Sequence, residues 1–409
     1  MKSHKSPFFA LDGGRRACDR LAMSILRDLV TSYRPMACFV AIGFGWAAYA
    51  AQVPVLKAQI DASDATFGTV MLLAAIGAVM AMWLAPLAHR FAGRSALIVG
   101  SLGMAMGFLC AGAAGGVLGF GLAMALAAMG SGVADVLANA EISELEAETQ
   151  RSLMNLNHAS FSFAYALSAL LVGVARDAGW GPICVFAVFV GAVVVLCFVM
   201  RTPDRSRAQA QAVPSSMPHM LVWLAGIIVF VAFLGEASTE GWSALHLERT
   251  LGGGAAEGAL GPAILGLTMG FGRLFGHLLA NRMRPLMLMG LAMALAAFGT
   301  ALAGAAPTLA VAYLGFGLAG FGVSVVAPLA LALVGSTVPP AVRLKAISRA
   351  AALGYAAFFA GPPVMGFVAE FFGLRVSFYV IAVVLAVVMA VVLPLLAAQV
   401  RQAKRKTSA

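Results

Sequence analysis

The chain has 409 residues, of which 61% are hydrophobic and only 11% are charged. Soluble globular domains carry about 25% charged residues, so this composition excludes a soluble enzyme or a soluble binding domain. The apolar residues form long continuous runs without the alternation of membrane β-strands, which indicates an all-α membrane protein. The net charge of +10 does not indicate a nucleic-acid partner, because the basic residues follow the pattern of membrane topology.

Twelve apolar runs have the length needed to cross a bilayer. They lie at 36–57, 67–88, 96–114, 116–140, 152–174, 180–200, 219–247, 258–280, 286–304, 307–335, 346–369 and 376–397. The longest interior polar break, at 201–218, divides these spans six and six. The predicted organisation is an N-terminal arm (1–34), an N-terminal six-helix half (35–200), a linker (201–218), a C-terminal six-helix half (219–397) and a basic tail (398–409).

The basic residues distinguish the two faces of the membrane. On this layout both termini lie on one side, which we call the terminal face, together with 22 of the 27 Lys and Arg residues. The opposite face holds only Lys57, Arg176, Arg249 and Arg375, and Arg273 lies within a span. This asymmetry predicts that the arm, the linker and the tail are cytoplasmic. The five cysteines have no metal-ligand spacing, so neither a metal site nor a cofactor is predicted.

The two halves repeat each other weakly at an offset of about 192 residues. Arg90 corresponds to Arg282, each just after the second span of its half, and Gly43 corresponds to Gly235. Parallel six-span halves related by an axis along the membrane normal are one architecture of secondary transporters, with the solute site between the halves. The fold prediction is therefore twelve transmembrane helices in two pseudo-symmetric halves.

The fourth and fifth spans place polar side chains where hydrocarbon is expected. Asp135 and Asn139 are four residues apart, so they share a helix face. A charge in the bilayer costs at least about 2.5 kcal/mol unless it borders a wet cavity or is paired. We interpret Asp135 and His158 as proton-coupling groups, and Asn139 and Asn157 as solute-binding groups. Structural contacts between helices are the alternative for all four.

The seventh span carries a second polar set. Glu236 and Glu240 are again four residues apart. The surrounding glycine, serine and threonine residues predict an interrupted helix beside a cavity. Glu236 is the second proton-coupling candidate, and Glu240 and Trp242 are solute-binding candidates. Trp46, in the first span, is expected to face Trp242, for which an interfacial anchor is the alternative.

The later spans add three expectations. Arg273 is interpreted as part of a gating ion pair, with a snorkelling side chain as the alternative. Tyr355 is a solute-binding candidate through its hydroxyl group. The Gly-Pro-Pro run at 361–363 predicts a kink in the eleventh span, because proline removes a helix hydrogen bond. In the fifth span, the hydroxyls of Ser162 and Tyr165 are interpreted as packing contacts.

Several motifs resemble one branch of a known family. They are QVPVLK at 52–57, the polar set at 135–139 with HASFS at 158–162, GEA at 235–237 with GWSAL at 241–245, and GY at 354–355 with GPP at 361–363. Over residues 36–397 the chain resembles the bacterial MosC-like (rhizopine-transport-like) branch of the major facilitator superfamily, and more distantly fucose:proton symporters. The resemblance implies a monomer in the bacterial inner membrane, embedded in the lipid bilayer, with a small-molecule substrate and a proton or sodium ion as coupling ion.

The loop after the second span departs from the pattern of that family. The family usually carries an Asp there, whereas this chain has His89, with Arg90 and Arg94 at the basic positions. The resemblance therefore implies a weakened conformational latch formed by Arg90, Arg94 and their counterpart Arg282. Glu144 is the candidate acidic partner, although a solvated helix end is the alternative for it.

The sequence therefore predicts a secondary active transporter and not an enzyme. We expect it to move a small polar, sugar- or polyol-like solute by alternating access with proton coupling. The alternatives are a broad-specificity drug or metabolite efflux pump of the same superfamily and a non-transporting membrane receptor.

Overall fold

The computed structural model describes residues 26–151, 153–201, 217–280 and 282–408, so most of the arm and the linker lie outside the described residues. The helices are α1 (Tyr33–Gln59), α2 (Asp64–Ala92), α3 (Ala96–Ala113), α4 (Val117–Thr149), α5 (Met154–Asp177), α6 (Pro182–Cys197), α7 (His219–Leu245), α8 (Ala255–Ala280), α9 (Pro285–Ala305), α10 (Leu309–Thr337), α11 (Pro340–Tyr355), α12 (Ala357–Phe372) and α13 (Leu374–Ser408). The described residues contain no strand.

Ten stretches of the described chain are long and apolar enough to cross a membrane. One of them, Asp64–Ala113, contains two helices, α2 and α3, which a 3-10 turn at Gly93–Ser95 separates. The stretch Lys345–Phe372 combines most of α11 with α12, and α6 is a shorter apolar helix. Counted in this way, the helices reproduce the twelve predicted spans, and the all-α membrane fold is confirmed.

The same close helix contact occurs once in each half. A Cβ atom at Gly107 of α3 would lie 2.3 Å from the backbone nitrogen of Ala127 in α4. A Cβ atom at Gly299 of α9 would lie 2.4 Å from the nitrogen of Ala319 in α10. Glycine at these crossings allows two backbones to touch, as is common between helices in lipid. The two glycines are separated by the offset of the sequence repeat, and so are the two alanines. The helix packing therefore repeats together with the sequence.

The two halves meet chiefly through two pairs of helices. Helix α2 packs against α12, where a Cβ atom at Gly68 would lie 2.3 Å from the Pro362 carbonyl oxygen. Helix α5 packs against α8, where Gly266 touches the ring of Tyr165. Polar side chains of α4, α5, α7 and α8 contact one another between these crossings and form the candidate site. We call the space that they border the central cleft.

One local prediction is wrong. The seventh span is not interrupted at its polar residues, because α7 runs unbroken from His219 to Leu245. The hydroxyl of Thr239 donates to the Gly235 carbonyl oxygen at 2.9 Å, so this polar side chain is satisfied within the helix. The helix departs from α geometry only at its end, in the π-helical turn His246–Thr250.

The eleventh span is broken, but not at its prolines. The break falls at Ala356, between α11 and α12, whereas Pro362 and Pro363 lie inside α12. Proline clashes with the carbonyl group four residues earlier, so the strain acts at Phe358 and Phe359, immediately after the break. The kink predicted at 361–363 stays a prediction, and the break at Ala356 was not predicted.

Candidate functional site

The polar residues of α4 and α5 form one connected group. The Asn139 side-chain nitrogen donates to the backbone oxygen of Asp135 at 2.9 Å. The Asn139 side-chain oxygen lies 3.3 Å from Nε2 of His158, whose ring packs on Phe39 with centroids 4.7 Å apart. Asp135, Asn139 and His158 are all half-buried. The structure therefore brings three of the predicted residues together on the N-terminal side of the cleft.

Arg273 connects the two halves at the middle of the cleft. Its guanidinium group donates to the hydroxyl of Ser162 in α5 and lies 3.8 Å from a carboxylate oxygen of Glu236 in α7. The Arg273 and Glu236 side chains are 17% and 23% exposed, so neither is sealed in dry packing. Ser162, interpreted from the sequence as a packing contact, is the partner of this arginine in the other half.

Glu240 lies one helical turn beyond Glu236, toward the opposite face. The hydroxyl of Tyr165 lies beside the Glu240 carboxylate. Tyr165 is only 3% exposed, and its hydroxyl makes no hydrogen bond of normal geometry with any described residue. The Glu240 carboxylate is therefore the polar neighbour of this buried hydroxyl, and the two groups lie in opposite halves.

The predicted aromatic residues take different positions. The Trp46 indole nitrogen donates to the Ser131 hydroxyl at 2.9 Å, and Trp46 is half-buried. Trp242 is 2% exposed and meets the Phe67 ring at 6.0 Å, so it lies within a contact between the two halves. The expected pairing of the two tryptophans is not among the ring contacts of the described residues. Tyr355 is 38% exposed and stacks on the ring of Phe358.

Asn157 is completely buried beside the site. Its side-chain nitrogen donates to the Leu153 carbonyl oxygen at 2.8 Å, and its side-chain oxygen has no partner among the described residues. This contact lies within the first turns of α5. The side-chain nitrogen is therefore satisfied within its own helix, and only the side-chain oxygen is available to contact a solute.

The predicted latch residues lie apart from the central group, on the terminal face. Arg90, Arg94 and Arg282 are exposed, and the Arg90 guanidinium stacks on the Phe91 ring at 5.7 Å. Glu144 is half-buried within α4, which continues to Thr149. Its neighbour Glu146 instead accepts the backbone N–H groups of Leu153 and Met154, at 2.6 and 2.8 Å, and so caps α5. The latch stays a prediction.

The opposite face carries an ionic contact that the sequence interpretation did not include. The Arg249 guanidinium donates to both carboxylate oxygens of Asp64, at 2.8 and 2.5 Å, and Lys57 lies 3.1 Å from the same group. Arg176 binds Glu248 through two hydrogen bonds of 2.7 and 2.9 Å. Each of the two bidentate pairs joins one half to the other. We call these two pairs the ionic clamp.

Two further carboxylates cap helices across the interface. Glu370, at the end of α12, accepts the N–H groups of Asp64 and Ala65, at 2.8 and 3.3 Å, in the first turn of α2. Asp177, at the end of α5, accepts the N–H group of Ala256 in the first turn of α8 at 3.2 Å. A helix N-terminus favours negative charge, so both acids stabilise the closed opposite face. We call Asp177 and Glu370 the crossed caps.

Three of the four cations counted on the opposite face take part in these contacts, namely Lys57, Arg176 and Arg249. Lys and Arg are rare on that face, and this rarity is the sequence signal that could have identified the three residues. Arg375 instead donates to the carbonyl oxygens of Gly304 and Ala306, at 3.1 and 2.7 Å, within the C-terminal half. The ionic clamp and the crossed caps thus close the cleft on the opposite face, and the half-buried carboxylates lie on the inner side of these contacts.

Comparison with known proteins agrees with this architecture. The sequence pattern of the Major Facilitator Superfamily matches residues 36–326 and 225–409. An uncharacterized MFS-type transporter of Yersinia pestis is 30% identical over 366 residues, covering 85% of this chain and 91% of that protein. The membrane protein MosC of Rhizobium meliloti is 27% identical over 351 residues, covering 84% of this chain and 85% of that protein.

Solved structures show the same fold. The crystal structure of a D-xylose–proton symporter superposes with a TM-score of 0.68 at 18% sequence identity, covering 89% of this chain and 97% of that chain. The predicted relationship to MosC is confirmed. With the family pattern matched over nearly the whole length and a transporter at 30% identity, the chain belongs to the major facilitator superfamily of membrane transporters.

Proposed function

We propose that this protein is a secondary active transporter that moves a small polar solute, of the sugar or polyol type, by alternating access coupled to protons. The observation that carries the proposal is a pair of half-buried carboxylates, Asp135 and Glu236, contributed by opposite halves to one cleft. Membrane proteins retain such groups chiefly along solute or proton pathways. The D-xylose–proton symporter with the same fold is a further support.

The two carboxylates differ in their partners, which gives them different tasks. Glu236 faces Arg273, so protonation of Glu236 removes the charge that holds the arginine on its own half. Asp135 has the Asn139 amide beside it and forms no ion pair with the described residues, so it accepts a proton without breaking a salt bridge. We assign proton coupling to these two acids, with His158 as their polar neighbour through Asn139.

Solute contacts follow from the groups that remain accessible in the cleft. Asn139, Trp46 and Tyr355 offer an amide, an indole face and a phenol, which suit a hydroxylated solute. Asn157 contributes only its side-chain oxygen, and Trp242 reaches a solute only when its contact with Phe67 opens. Sealing on the opposite face means that a solute enters this conformation from the terminal face.

We place the terminal face in the cytoplasm of a bacterium and the protein in its inner membrane, because most basic residues lie on that face. One chain contains both halves of the cleft, so a monomer suffices for transport. Fusing alkaline phosphatase or green fluorescent protein to Ala409 tests the orientation. We expect fluorescence without phosphatase activity, and the reverse result would contradict the assignment.

The coupling is tested in proteoliposomes that contain the purified protein and an internal pH dye. Xylose, fucose, glucose and myo-inositol are added one at a time, and we expect at least one of them to move protons together with solute. Asp135→Asn and Glu236→Gln should abolish accumulation against a gradient, because neither amide takes up a proton. Glu257→Gln, which alters an exposed acid outside the cleft, is the matched control.

Two outcomes would contradict the proposal. One is accumulation that continues in the Asp135→Asn, Glu236→Gln double variant. The other is solute movement that leaves the internal pH unchanged while the protein still concentrates its solute.

A further inference from the structure

The terminal face of the C-terminal half carries positive charge without negative charge. Nine of the 22 Lys and Arg residues on that face belong to this half, at 282–284, 343–349 and 401–406. The acidic residues of the half lie within its spans or on the opposite face. The N-terminal half instead has acidic residues on the terminal face, among them Glu146 and Glu148. The cations of the C-terminal half therefore have no acidic neighbour in their own half.

Two of these segments come together because α9 packs on α13. The two helices run antiparallel, and a Cβ atom at Gly290 would lie 3.2 Å from the Leu393 side chain. Arg284 is six residues before Gly290, and Gln399 is six residues after Leu393, so Arg284 and Gln399 lie at about the same level along the two helices. Arg401 is the next cation of α13, so the start of α9 and the end of α13 place their cations side by side.

The end of α13 is held on the protein and presents its cations to the outside. Val400 is 4% exposed, so the helix is still packed at this level, and it continues to Ser408. Arg401 and Arg405 are four residues apart and share a helix face, and both are exposed, as Arg284 is. We call Arg284, Arg401 and Arg405 the basic cluster. Like charges placed together repel one another, so this cluster favours an anion beside it.

The extension of α13 departs from the repeat of the two halves. Its counterpart in the N-terminal half is α6, which ends at Cys197. At the offset of about 192 residues Cys197 corresponds to Met389, whereas α13 continues to Ser408. The packing that the two halves share therefore does not require the basic end of α13.

Exposed apolar side chains lie on the membrane side of the basic cluster. Met287 and Leu291 are exposed on α9, and Val391 and Leu395 are exposed on α13. A ligand that matches both parts of this surface has an anionic head and apolar chains. A nucleic acid or a soluble acidic protein would match the cations alone, so the surface favours an anionic lipid.

We propose that the basic cluster binds the headgroup of an anionic phospholipid, whose acyl chains lie along the outer faces of α9 and α13. Arginine suits this role because its guanidinium group forms paired hydrogen bonds with phosphate. The first turn of α9 holds no acidic residue, so the partial positive charge of this helix end adds to the attraction. The lipid site lies outside the central cleft, so it does not depend on which solute is transported.

Thermal unfolding of the purified full-length protein in detergent tests the site. Dioleoyl phosphatidylglycerol, phosphatidylethanolamine and phosphatidylcholine are added separately in equal amounts, and sodium phosphate and a short DNA duplex serve as soluble anions. We expect phosphatidylglycerol to raise the unfolding midpoint, because a ligand stabilises the folded state that binds it. The other two lipids should do so much less, because their headgroups have no net charge. The soluble anions should also do much less, because they lack acyl chains.

The triple variant Arg284→Gln, Arg401→Gln, Arg405→Gln removes the basic cluster. One cation near an anionic membrane surface contributes about fivefold in affinity, so we expect phosphatidylglycerol to bind about tenfold or more weakly. The lipid-free midpoint should stay the same or rise, because like charges have been separated from one another. If the triple variant does not fold, the Arg401→Gln, Arg405→Gln double variant alters only residues beyond the last packed turn of α13 and should also weaken the binding.

A matched control removes the same amount of charge from the same face of the same half. Arg343→Gln, Lys345→Gln, Arg349→Gln changes three exposed cations of α11. We expect this variant to keep its affinity for phosphatidylglycerol within about twofold, because the neutralised residues lie outside the basic cluster.

Three results would overturn the proposal. The first is equal stabilisation by the charged and the uncharged lipids, which would mean that only the apolar surface is used. The second is equal stabilisation by phosphate or DNA, which would make the cluster a site for soluble anions. The third is an equal loss of lipid binding in the two triple variants, which would show diffuse attraction to the whole face.

Discussion

Arg176 illustrates how a single buried charge holds the two halves together. Its side chain is 5% exposed, and it donates both to the Ala51 carbonyl oxygen, at 2.6 Å, and to Glu248 in the other half. A cation in this position depends on its partner, because removing one member of a buried pair leaves the other charge uncompensated. Closure of the opposite face therefore depends on the charge of Glu248.

Glu248→Gln should therefore shift the protein toward a conformation open at the opposite face. We expect a loss of about 3 kcal/mol from the closed state, because the Arg176 guanidinium loses its counter-charge. The distance between spin labels at Gly115→Cys and Thr308→Cys, in exposed loops of the two halves, measures the opening once native cysteines are replaced. Glu257→Gln is the control, and an unchanged distance distribution in Glu248→Gln would contradict the prediction.

At the level of single residues, the sequence predicted the site in part. The spacing of Asp135 and Asn139 was enough to predict a shared helix face, and polarity in apolar spans identified Glu236 and Arg273. The contact between Arg273 and Ser162 was not predictable, because it joins residues 111 positions apart in different halves. A serine or tyrosine in a span has no sequence feature that separates a ligand contact from packing.

The crossing of α2 and α12 is the element that closes the opposite face. A Cβ atom at Gly366 would lie 2.4 Å from the Asp64 carbonyl oxygen, and a Cβ atom at Gly68 would lie 3.0 Å or less from the Pro362 backbone. Backbone atoms on both sides cannot move aside as a flexible side chain does. Any side chain at these two glycines therefore separates the helices.

Gly366→Ala should hinder closure of the opposite face without affecting folding of either half. Overpacking of this kind costs about 1–3 kcal/mol, and here the cost falls on the closed conformation alone. We expect longer distances in the spin-label assay and slower transport. Gly191→Ala in α6 is the matched control, because nothing lies within 4 Å of its Cβ position. Equal behaviour of the two variants would show that the α2–α12 crossing does not control closure.

Element boundaries were predicted less accurately than the elements themselves. Helix α4 continues to Thr149 through the acidic run, and α13 continues to Ser408 through the basic tail. Hydropathy marks where the hydrocarbon ends, whereas a helix ends where its backbone hydrogen bonds end. The π-helical turn His246–Thr250 was equally unpredictable, and it carries both Glu248 and Arg249 to the clamp.

The crossed caps show that the pseudo-symmetry extends to the interface between the halves. Asp177 ends the fifth span and caps the eighth, whereas Glu370 ends the eleventh and caps the second. The two acids are 193 positions apart, close to the offset of the repeat. The offset of the repeat relates the two acids, and the three-dimensional arrangement shows that each acid acts on the other half.

Asp177→Ala and Glu370→Ala should each favour opening of the opposite face. Loss of a capping acceptor costs about 1 kcal/mol, so each variant shifts the open-to-closed ratio by about fivefold. The two caps share no partner, so the double variant should show the sum of the two free energies. Populations from the spin-label distances measure both effects, and a double variant no more open than either single variant would contradict independent caps.

The ionic clamp also makes closure of the opposite face depend on the salt concentration of the surrounding solution. Arg249 is 43% exposed, so its attraction to Asp64 is partly screened by dissolved ions, whose screening length falls from about 30 Å at 0.01 M to about 10 Å at 0.1 M. The opposite face is therefore expected to stay closed more firmly at low salt concentration than at high salt concentration. A change in the salt concentration on that side of the membrane would therefore shift the ratio between the conformations that are closed and open at the opposite face.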